Sequence, residues 1–478
     1  MNTLYKKLLT DIGFIVLLNL LLKPIWILVD NSAQNEIGHF SYGMFTAAFS
    51  FSFLFYQLLD MGVSSVTVKN ISIGLDDISS FVKDSFYLKL LLSFLYILIV
   101  VGFYFFSYRK PELLEFIIIS SLYHVFLSFY TWLRAILQGL QKFKIDAFFS
   151  ILDKIILLIL ILYFIWLNKL DINNYAYSFL LSSFISALIL SSYVIIYLDF
   201  YNFKFRIKAI IRLFFGTIFL AVVNVLFAFN DRLIFVLIDD KLSFSDTGLY
   251  YASYRWVNAI STYLWTILPY FYAKFSFELN DKSSHTDSNF HIKHLLTFVP
   301  ILFVSAFVFS SGKVLFWQQT KSTPEELDYM AQLLSIQMIG LLLNSWLTIF
   351  GTFLNATNNE RFVSSALVFG TIFNYLLIKY NLYYFGIFGA AWANVIFYAI
   401  VGFGFYYFFK DRNPYHYKTK HFVSQFFAII VFIMVSFLLK RLNLPFLVPE
   451  IISITSFLTI MVISGEVNIR LIREVFRK

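Results

Sequence analysis

Apolar segments long enough to cross a lipid bilayer recur along the whole 478-residue chain. A helix of about 20 apolar residues spans the roughly 30 Å hydrocarbon core of a membrane. Hydrophobic residues make up 59% of the chain and charged residues only 14%, whereas soluble domains carry about 25% charged residues. A water-soluble fold of this length could not bury so much apolar surface, so the bilayer is the expected solvent.

The apolar segments predict an all-α polytopic membrane protein with 14 transmembrane helices. Helices are expected because they satisfy their own backbone polar groups in lipid, and the alternating pattern of a membrane β-strand is absent. The predicted spans are 10–29, 40–63, 85–106, 113–138, 147–167, 174–198, 213–238, 248–272, 293–312, 329–353, 363–380, 384–408, 422–440 and 446–464.

A weak internal repeat predicts two six-helix lobes. The motif of an acid, any residue, Gly, any residue and an aromatic begins at Glu36, where the second span opens, and again at Asp246, where the eighth opens. An offset of six helices preserves orientation, so the lobes would be parallel repeats around a central cleft. The alternative is that these are ordinary helix-end residues. We expect an N-lobe at 1–212, a C-lobe at 213–410 and a two-helix extension at 411–478.

The basic residues predict that both termini are cytoplasmic. With an even number of spans, 22 of the 37 Lys and Arg residues fall on the side of the termini, nine on the opposite side and six within spans. Positive charge favours the cytoplasmic face.

Short loops leave no room for a soluble domain, and the chain lacks a long basic tract of the kind that binds nucleic acid. The chain has no Cys and no Gly-rich phosphate loop, so neither an enzyme nor a bound cofactor or metal is predicted.

Several short passages, taken in order and by helix placement, resemble one transporter family. They are Ile37-Gly38 with Asp60-Met61-Gly62, Leu133 to Gly139 followed by Lys142 and Lys144, Asn230-Asp231-Arg232-Leu233, Gly248-Leu249-Tyr250 with Tyr254-Arg255, and Gly386 to Ala391. Across residues 10–410 the chain is similar to the O-antigen and capsule repeat-unit flippases of the multidrug, oligosaccharidyl-lipid and polysaccharide exporter superfamily. The resemblance implies two six-helix bundles, sometimes with two further helices, and an undecaprenyl-pyrophosphate-linked glycan as cargo.

Ionisable residues within spans are costly and mark candidate functional sites. Lys23, Asp231 and Arg255 are expected at one level, roughly 10 Å below the periplasmic surface, where Lys23 and Arg255 would face one cleft. Polar stripes at helical spacing accompany them. Adjacent residues point about 100° apart on a helix, so Asp231 and Arg232 cannot line one wall equally. Asp231 is expected to face inward because it shares a helical stripe with Asn224. The candidate substrate-binding residues are Lys23, Arg255, Asp231, Asn19, Asn224, Asn258, Gln57 and Arg232.

A second group of ionisable residues lies near predicted cytoplasmic helix ends. For this group we expect snorkelling and local salt bridges rather than substrate contacts. Helix–helix hydrogen bonding is the alternative for the polar stripes. The second group comprises Asp60, Lys89, Arg134, Asp153 and Lys154.

The leading functional prediction is alternating-access transport of a lipid-linked oligosaccharide across the bacterial inner membrane for surface polysaccharide biosynthesis. Its expected partners are the lipid-linked substrate, membrane lipids, and a polysaccharide polymerase with other assembly proteins. The runner-up is a cation-coupled exporter of small molecules or drugs on the same superfamily fold. That function would favour deep carboxylates, whereas Lys23 and Arg255 are basic. A glycan polymerase or ligase would need a long extracytoplasmic loop.

Overall fold

The computed structural model describes residues 22–72, 78–198, 229–281, 312–357, 359–412 and 448–463, with scattered helical residues within 301–309 and 427–439. Across these ranges the chain forms helices joined by turns and short loops and contains no strand, which confirms the all-α fold class. The helices in chain order are α1 (22–37), α2 (His39–Leu54), α3 (Val63–Ser72), α4 (Ile78–Phe103), α5 (Leu114–Gly139), α6 (Phe143–Trp166), α7 (Ile172–Leu198), α8 (229–241), α9 (Phe244–Asp281), α10 (Pro324–Ala356), α11 (Glu360–Arg412) and α12 (Val448–Ile463).

Many of these helices have the length and composition of membrane spans. Within the described residues, six helical segments qualify, and a seventh qualifies if α2 and the bent stretch that follows it are one span. One of the six is the 50-residue segment Arg361–Lys410, which covers two predicted spans. The chain is therefore a multi-pass membrane protein. Parts of the predicted spans 10–29, 213–238, 293–312 and 422–440 lie outside the described residues, so the total of 14 stays a prediction.

The chain divides into two compact units. The first unit contains Met1–Ala252, Gln318–Ser322 and Thr371–Ala390. Its core is rich in aromatic side chains from α2, α5 and α7, such as Phe45, Tyr130 and Tyr175. The second unit contains Ser253–Trp317, Thr323–Gly370 and Ala391–Lys478.

In the second unit, α10 packs closely against the second half of α11. The rings of Phe350 and Phe409 lie 5.0 Å apart, and those of Phe353 and Phe409 lie 4.9 Å apart. A Cβ added to Gly402 would lie 2.2 Å from a methyl carbon of Leu347. The small residue therefore permits the close approach of the two helices.

The second predicted span is broken in its C-terminal half. Helix α2 ends at Leu54, a 3-10 turn covers Tyr56–Leu59, and Gly62 has a φ of 83° before α3 begins. The Asp60 carboxylate accepts hydrogen bonds from the backbone N–H and the hydroxyl of Ser64, which caps the new helix. Lys89 is fully buried and donates to Leu59 O at 2.9 Å and to Asp60 Oδ1 at 3.1 Å. These partners satisfy the backbone groups that the break frees.

This contact confirms the local salt bridge expected for Asp60 and Lys89. A second local salt bridge joins Arg134 Nε to Asp146 Oδ1 at 2.7 Å. Complete burial of Lys89, however, means that its ammonium group does not snorkel to the interface.

The N-terminal part of α9 packs directly on α2. A Cβ added to Gly248 would lie 2.2 Å from His39 O, and one added to Gly43 would lie 1.7 Å from Phe244 O. Only glycine permits this approach of the two backbones. Gly38, by contrast, ends α1 with a φ of 82°, and the proposed repeat that pairs it with Gly248 stays a prediction.

Helix α11 turns at Gly386, where two predicted spans meet. This residue has a φ of 58° and a ψ of −147°, a region that is essentially open to glycine alone. The sequence predicts a loop at 381–383, and the break instead falls three residues later, where the glycine permits it.

Candidate functional site

The first unit contains a cavity of about 200 Å³ that seven helices line. We call it the basic cavity because three of its four charged side chains are basic. The charged lining residues are Lys23, Asp153, Lys154 and Arg232. The remaining lining residues are Leu22, Trp26, Tyr42, Phe45, Thr46, Phe49, Tyr123, Leu157, Leu158, Tyr175, Phe179, Ser182 and Tyr251.

Helical spacing explains why these side chains converge. On α6, Asp153 and Leu157 are four residues apart, as are Lys154 and Leu158. On α7, Tyr175, Phe179 and Ser182 follow at intervals of four and three. Such spacings place side chains on one helix face. Each of these helices therefore presents one stripe to the basic cavity.

Arg232 is the most buried basic residue of the cavity, at 9% relative exposure. Its guanidinium carbon lies 4.9 Å from the ring centroid of Phe53 and 5.9 Å from that of Phe235. Its Nε lies 3.0 Å from a carboxylate oxygen of the adjacent Asp231. Cation–π contact and the ion pair hold this side chain in a desolvated position.

Aromatic side chains form a large part of the cavity wall. Trp26 and Phe179 meet edge to face at 5.9 Å, and Tyr123 meets Phe179 at 5.5 Å. Tyr42 lies 5.6 Å from Tyr175, measured between ring centroids. These contacts restrict the rings, so the wall is preformed rather than assembled by a ligand.

A buried carboxylate fixes two of the tyrosines. Asp30 on α1 is fully buried, and it accepts hydrogen bonds from the hydroxyls of Tyr42, at 2.9 Å, and Tyr175. Because α1, α2 and α7 each contribute one of these groups, the cluster ties three cavity helices together.

The structure brings two of the eight predicted site residues into the basic cavity, Lys23 and Arg232. Asp231 does not line this cavity, and its side chain is 43% exposed. In the basic cavity it is the Arg232 guanidinium, and not the Asp231 carboxylate, that reaches the aromatic wall. The expectation that Asp231 faces a central cleft stays a prediction.

The other predicted residues do not line the basic cavity or fall outside the described ranges. Arg255 belongs to the second unit and is 3% exposed. Asn258, three residues further along α9, is half-buried. Gln57 lies in the 3-10 turn after α2 and does not line the basic cavity. Asn19 and Asn224 fall outside the described residues.

Sequence reasoning set aside two charged residues that line the cavity, Asp153 and Lys154. The predicted span began at residue 147, whereas α6 begins at Phe143. At about 1.5 Å per residue, Asp153 therefore lies roughly 15 Å along its helix instead of about 9 Å. Two adjacent ionisable residues at that depth are a signal for an internal site. The cavity tyrosines carried no such signal, because the chain contains 31 Tyr and 61 Phe in all.

Comparisons with solved structures show the fold. The lipid II flippase MurJ, in an inward closed conformation, superposes with a TM-score of 0.71 at 15% identity, covering 97% of this chain and 99% of that one. A multidrug resistance MATE family transporter of the MOP superfamily, facing inward, has a TM-score of 0.66 at 13% identity, covering 80% of this chain and 94% of that one. A MOP superfamily transporter from Pyrococcus furiosus has a TM-score of 0.52 at 14% identity, covering 84% of this chain and 93% of that one.

No curated protein sequence matches the chain. A family model described as "Polysaccharide biosynthesis protein" matches residues 8–271. This range includes every residue that lines the basic cavity, from Leu22 to Tyr251. Since the match spans more than half of the 478 residues, the chain belongs to the polysaccharide biosynthesis protein family.

Proposed function

We propose that this protein is a flippase that moves an undecaprenyl-pyrophosphate-linked oligosaccharide repeat unit from the cytoplasmic to the periplasmic leaflet. The movement would occur by alternating access and would supply surface polysaccharide such as O-antigen or capsule. The observation that carries this proposal is the basic cavity, which lies within the part of the chain that matches the polysaccharide biosynthesis family.

The charge of the basic cavity suits a pyrophosphate. Three basic side chains and one acidic side chain leave an excess of positive charge. Arg232 can hold two phosphate oxygens with its planar fork, while Lys23 and Lys154 can act as point charges. Burial strengthens such contacts relative to water.

The aromatic wall suits the sugar that follows the pyrophosphate. A sugar ring has an apolar face of C–H groups and a rim of hydroxyls. Trp26, Tyr42 and Tyr123 line the cavity with aromatic rings, and the hydroxyl-bearing Ser182 and Thr46 also line it. Predominantly apolar walls with a few polar groups are usual in ligand pockets.

The competing function is a cation-coupled exporter of small molecules. The fold that this chain shares with a MATE transporter supports this competing function, as does the carboxylate of Asp153 in the cavity. The three basic side chains oppose it, because they would repel a cationic cargo. We therefore place the anionic lipid-linked glycan first.

The proposal extends to location and partners. The protein would reside in the bacterial inner membrane with both termini cytoplasmic, as the distribution of Lys and Arg favours. Membrane lipids and a polysaccharide polymerase with other assembly proteins would be its partners. Arg255, Asp231, Asn19, Asn224, Asn258 and Gln57 remain proposed substrate-contact residues with Lys23 and Arg232.

Depletion of the protein from its host tests this function. Lipid-linked repeat units should accumulate on the cytoplasmic leaflet and surface polysaccharide should fall. Re-expression of the wild-type protein or of Lys169→Ala should reverse both changes, because Lys169 is an exposed residue in the loop between α6 and α7 and does not line the basic cavity. Normal surface polysaccharide after full depletion would contradict the proposal.

A further inference from the structure

A network of hydrogen bonds joins the end of α1 and the start of α2 to a loop much later in the chain, at residues 318–322. Asn31 O accepts from Gln319 Nε2 at 3.1 Å, and Asn35 Oδ1 accepts from the backbone N–H of Lys321 at 2.9 Å. Lys321 Nζ also forms an ion pair with Glu36 Oε2 at 2.8 Å. We call this network the polar latch and define it by residues 31–39, Gly248 and residues 318–322, which all belong to the first unit.

The polar latch lies beside one end of the basic cavity. Tyr42 lines the cavity and follows His39 on α2 by three residues, and Tyr251 lines it and follows Gly248 on α9 by three residues. Three residues of helix measure about 4.5 Å, so the polar latch lies within about one helical turn of the cavity wall. With cytoplasmic termini, as proposed, this end of the cavity faces the periplasm.

The chain passes into the second unit directly after the polar latch in two places. Helix α9 continues from Gly248 into the second unit at Ser253, and the loop 318–322 leads into it at Thr323, just before α10. The polar latch therefore holds the first turn of α9 and the entry to α10 against the end of α1. Its release would free both.

Three contacts fix the protonation state of His39 within the polar latch. Gln34 Nε2 lies 2.9 Å from the carbonyl oxygen of Gly248, and because that oxygen only accepts, the side-chain atom must be the amide nitrogen. The same nitrogen lies 3.0 Å from His39 Nδ1, which must then be an acceptor. His39 Nε2 lies 2.7 Å from the Ser322 hydroxyl, to which it donates. The polar latch thus requires a neutral imidazole with its proton on Nε2.

Protonation of His39 is incompatible with this arrangement. The new Nδ1–H would point at the amide N–H groups of Gln34, so that two donors would face each other. A rotated Gln34 amide could accept from Nδ1–H, but its oxygen would then face the Gly248 oxygen. In either case the fully buried Gln34 loses a hydrogen bond, which is costly for a buried polar group. The contact with Ser322 survives, because Nε2 donates in both forms.

The charged groups on the elements around His39 are engaged with other partners. They are Glu36, Lys321, Asp246, Lys110 and Asp239. Lys321 pairs with Glu36 at 2.8 Å and Lys110 with Asp239 at 3.0 Å, while Asp246 accepts from the Ser243 hydroxyl at 2.6 Å. Protonation of His39 would therefore act mainly through Gln34. His39 is half-buried, so protons from the outer solution can reach it, and an imidazole ordinarily changes charge between about pH 5 and 8.

From these observations we infer that the polar latch is a pH-sensitive gate at the outer end of the basic cavity, closed while His39 is neutral and released when His39 is protonated. Opening would then take up a proton from the periplasmic side, so a low periplasmic pH would favour release of cargo there. The inference rests on the proposed function in taking the protein to open alternately to the two sides and the latched end to be periplasmic.

Distances between two spin labels test the polar latch in the absence of cargo. The chain contains no Cys, so Glu112→Cys and Glu325→Cys provide two unique attachment sites at exposed positions outside the latch. Labelled full-length protein in nanodiscs is equilibrated at about pH 7.5 or about pH 5.5, on either side of the usual imidazole titration, and frozen for double electron–electron resonance. We expect a longer-distance population whose ratio to the latched population rises about fivefold at the lower pH, the effect of one lost hydrogen bond.

Three variants assign the effect to the proposed contacts. His39→Gln cannot gain a charge, and Gln34→Met removes the amide that faces Nδ1, so each should abolish the pH response. Ser322→Ala is the matched control, because Ser322 contacts the same ring at Nε2. It should raise the open population at both pH values and retain the response of about fivefold.

The outcomes separate this inference from the proposed function. Identical distance distributions of the wild-type protein at the two pH values would overturn the inference, as would a pH response that persists in His39→Gln or disappears in Ser322→Ala. Translocation of lipid-linked repeat units in proteoliposomes at a rate independent of the pH on the periplasmic side would overturn the inference alone. Opening that depends on pH in a protein that translocates no repeat units would support the gate and contradict the proposed function.

Discussion

Replacement of Arg232 by alanine should strongly weaken the binding of undecaprenyl pyrophosphate. Arg232 is 9% exposed and lines the basic cavity, so its guanidinium would contact the anion with little competition from water. A hydrogen bond to a charged group contributes about 1.5–3 kcal/mol. Loss of that contribution corresponds to a roughly 10- to 150-fold higher dissociation constant.

The same replacement removes two contacts within the protein and should therefore also lower the free energy of unfolding. The Asp231 side chain is 43% exposed, and an ion pair with such a partner contributes at most about 1 kcal/mol. The contact with the Phe53 ring adds about 0.5–2 kcal/mol. Arg232→Lys should bind with intermediate affinity, because it retains the charge and loses the bidentate fork.

The assay is equilibrium binding of undecaprenyl pyrophosphate to purified protein in nanodiscs, with thermal unfolding of each variant measured in parallel. Lys169→Ala is the control for removal of an exposed cation and should bind like the wild-type protein. A dissociation constant for Arg232→Ala within twofold of wild type, in a protein that unfolds normally, would refute the assignment of the pyrophosphate to the basic cavity.

Three further predictions concern packing, the second unit and topology. Gly248→Ala should lower the free energy of unfolding by about 1–3 kcal/mol because its Cβ would lie 2.2 Å from His39 O, while Gly102→Ala, which meets no atom within 4 Å, should not; equal thermal stabilities would contradict this close approach. Arg255→Ala should abolish surface polysaccharide export at matched membrane abundance and Arg255→Lys should retain part of it, so full export by the alanine variant would exclude a role for this cation. Alkaline phosphatase fused after Lys478 should be inactive, and strong activity would overturn the cytoplasmic C-terminus.

The sequence predicts the helices best where apolar runs end at clear helix terminators. For α5 the predicted span is 113–138 and the helix is Leu114–Gly139, with Pro111 before it and Gly139 at its end. For α7 the prediction of 174–198 also agrees within two residues. Hydropathy alone suffices to predict these helices, because a chain that crosses lipid must satisfy its backbone polar groups within a helix.

Charged residues in the first turn of a helix explain where hydropathy fails to predict the helix start. Lys144 and Asp146 lie in the first turn of α6, and their polarity moved the predicted start to residue 147. The structure shows that Arg134 pairs with Asp146, so the charged turn is stabilised by a neighbouring helix. Because the apolar pattern does not reveal a pairing between two neighbouring helices, the sequence places Asp153 and Lys154 at the interface instead of the cavity.

Whether a residue belongs to the candidate site depends on the direction in which its side chain points as much as on its depth in the membrane. Depth selects Lys23, which lines the basic cavity, but depth alone does not decide between Asp231 and Arg232. Their orientation follows from aromatic neighbours on other helices, Phe53 among them. Such contacts join residues that are far apart in the sequence, so helical periodicity does not reveal them.

Translocation by the purified protein tests the central claim most directly. Lipid-linked repeat units extracted from depleted cells are placed in proteoliposomes, and glycan that becomes accessible to an external lectin is followed in time. The account predicts protein-dependent exposure that falls sharply with Arg232→Ala and persists with Lys169→Ala. Exposure no faster than in protein-free liposomes, together with ion-driven transport of a cationic dye by the same preparation, would contradict it.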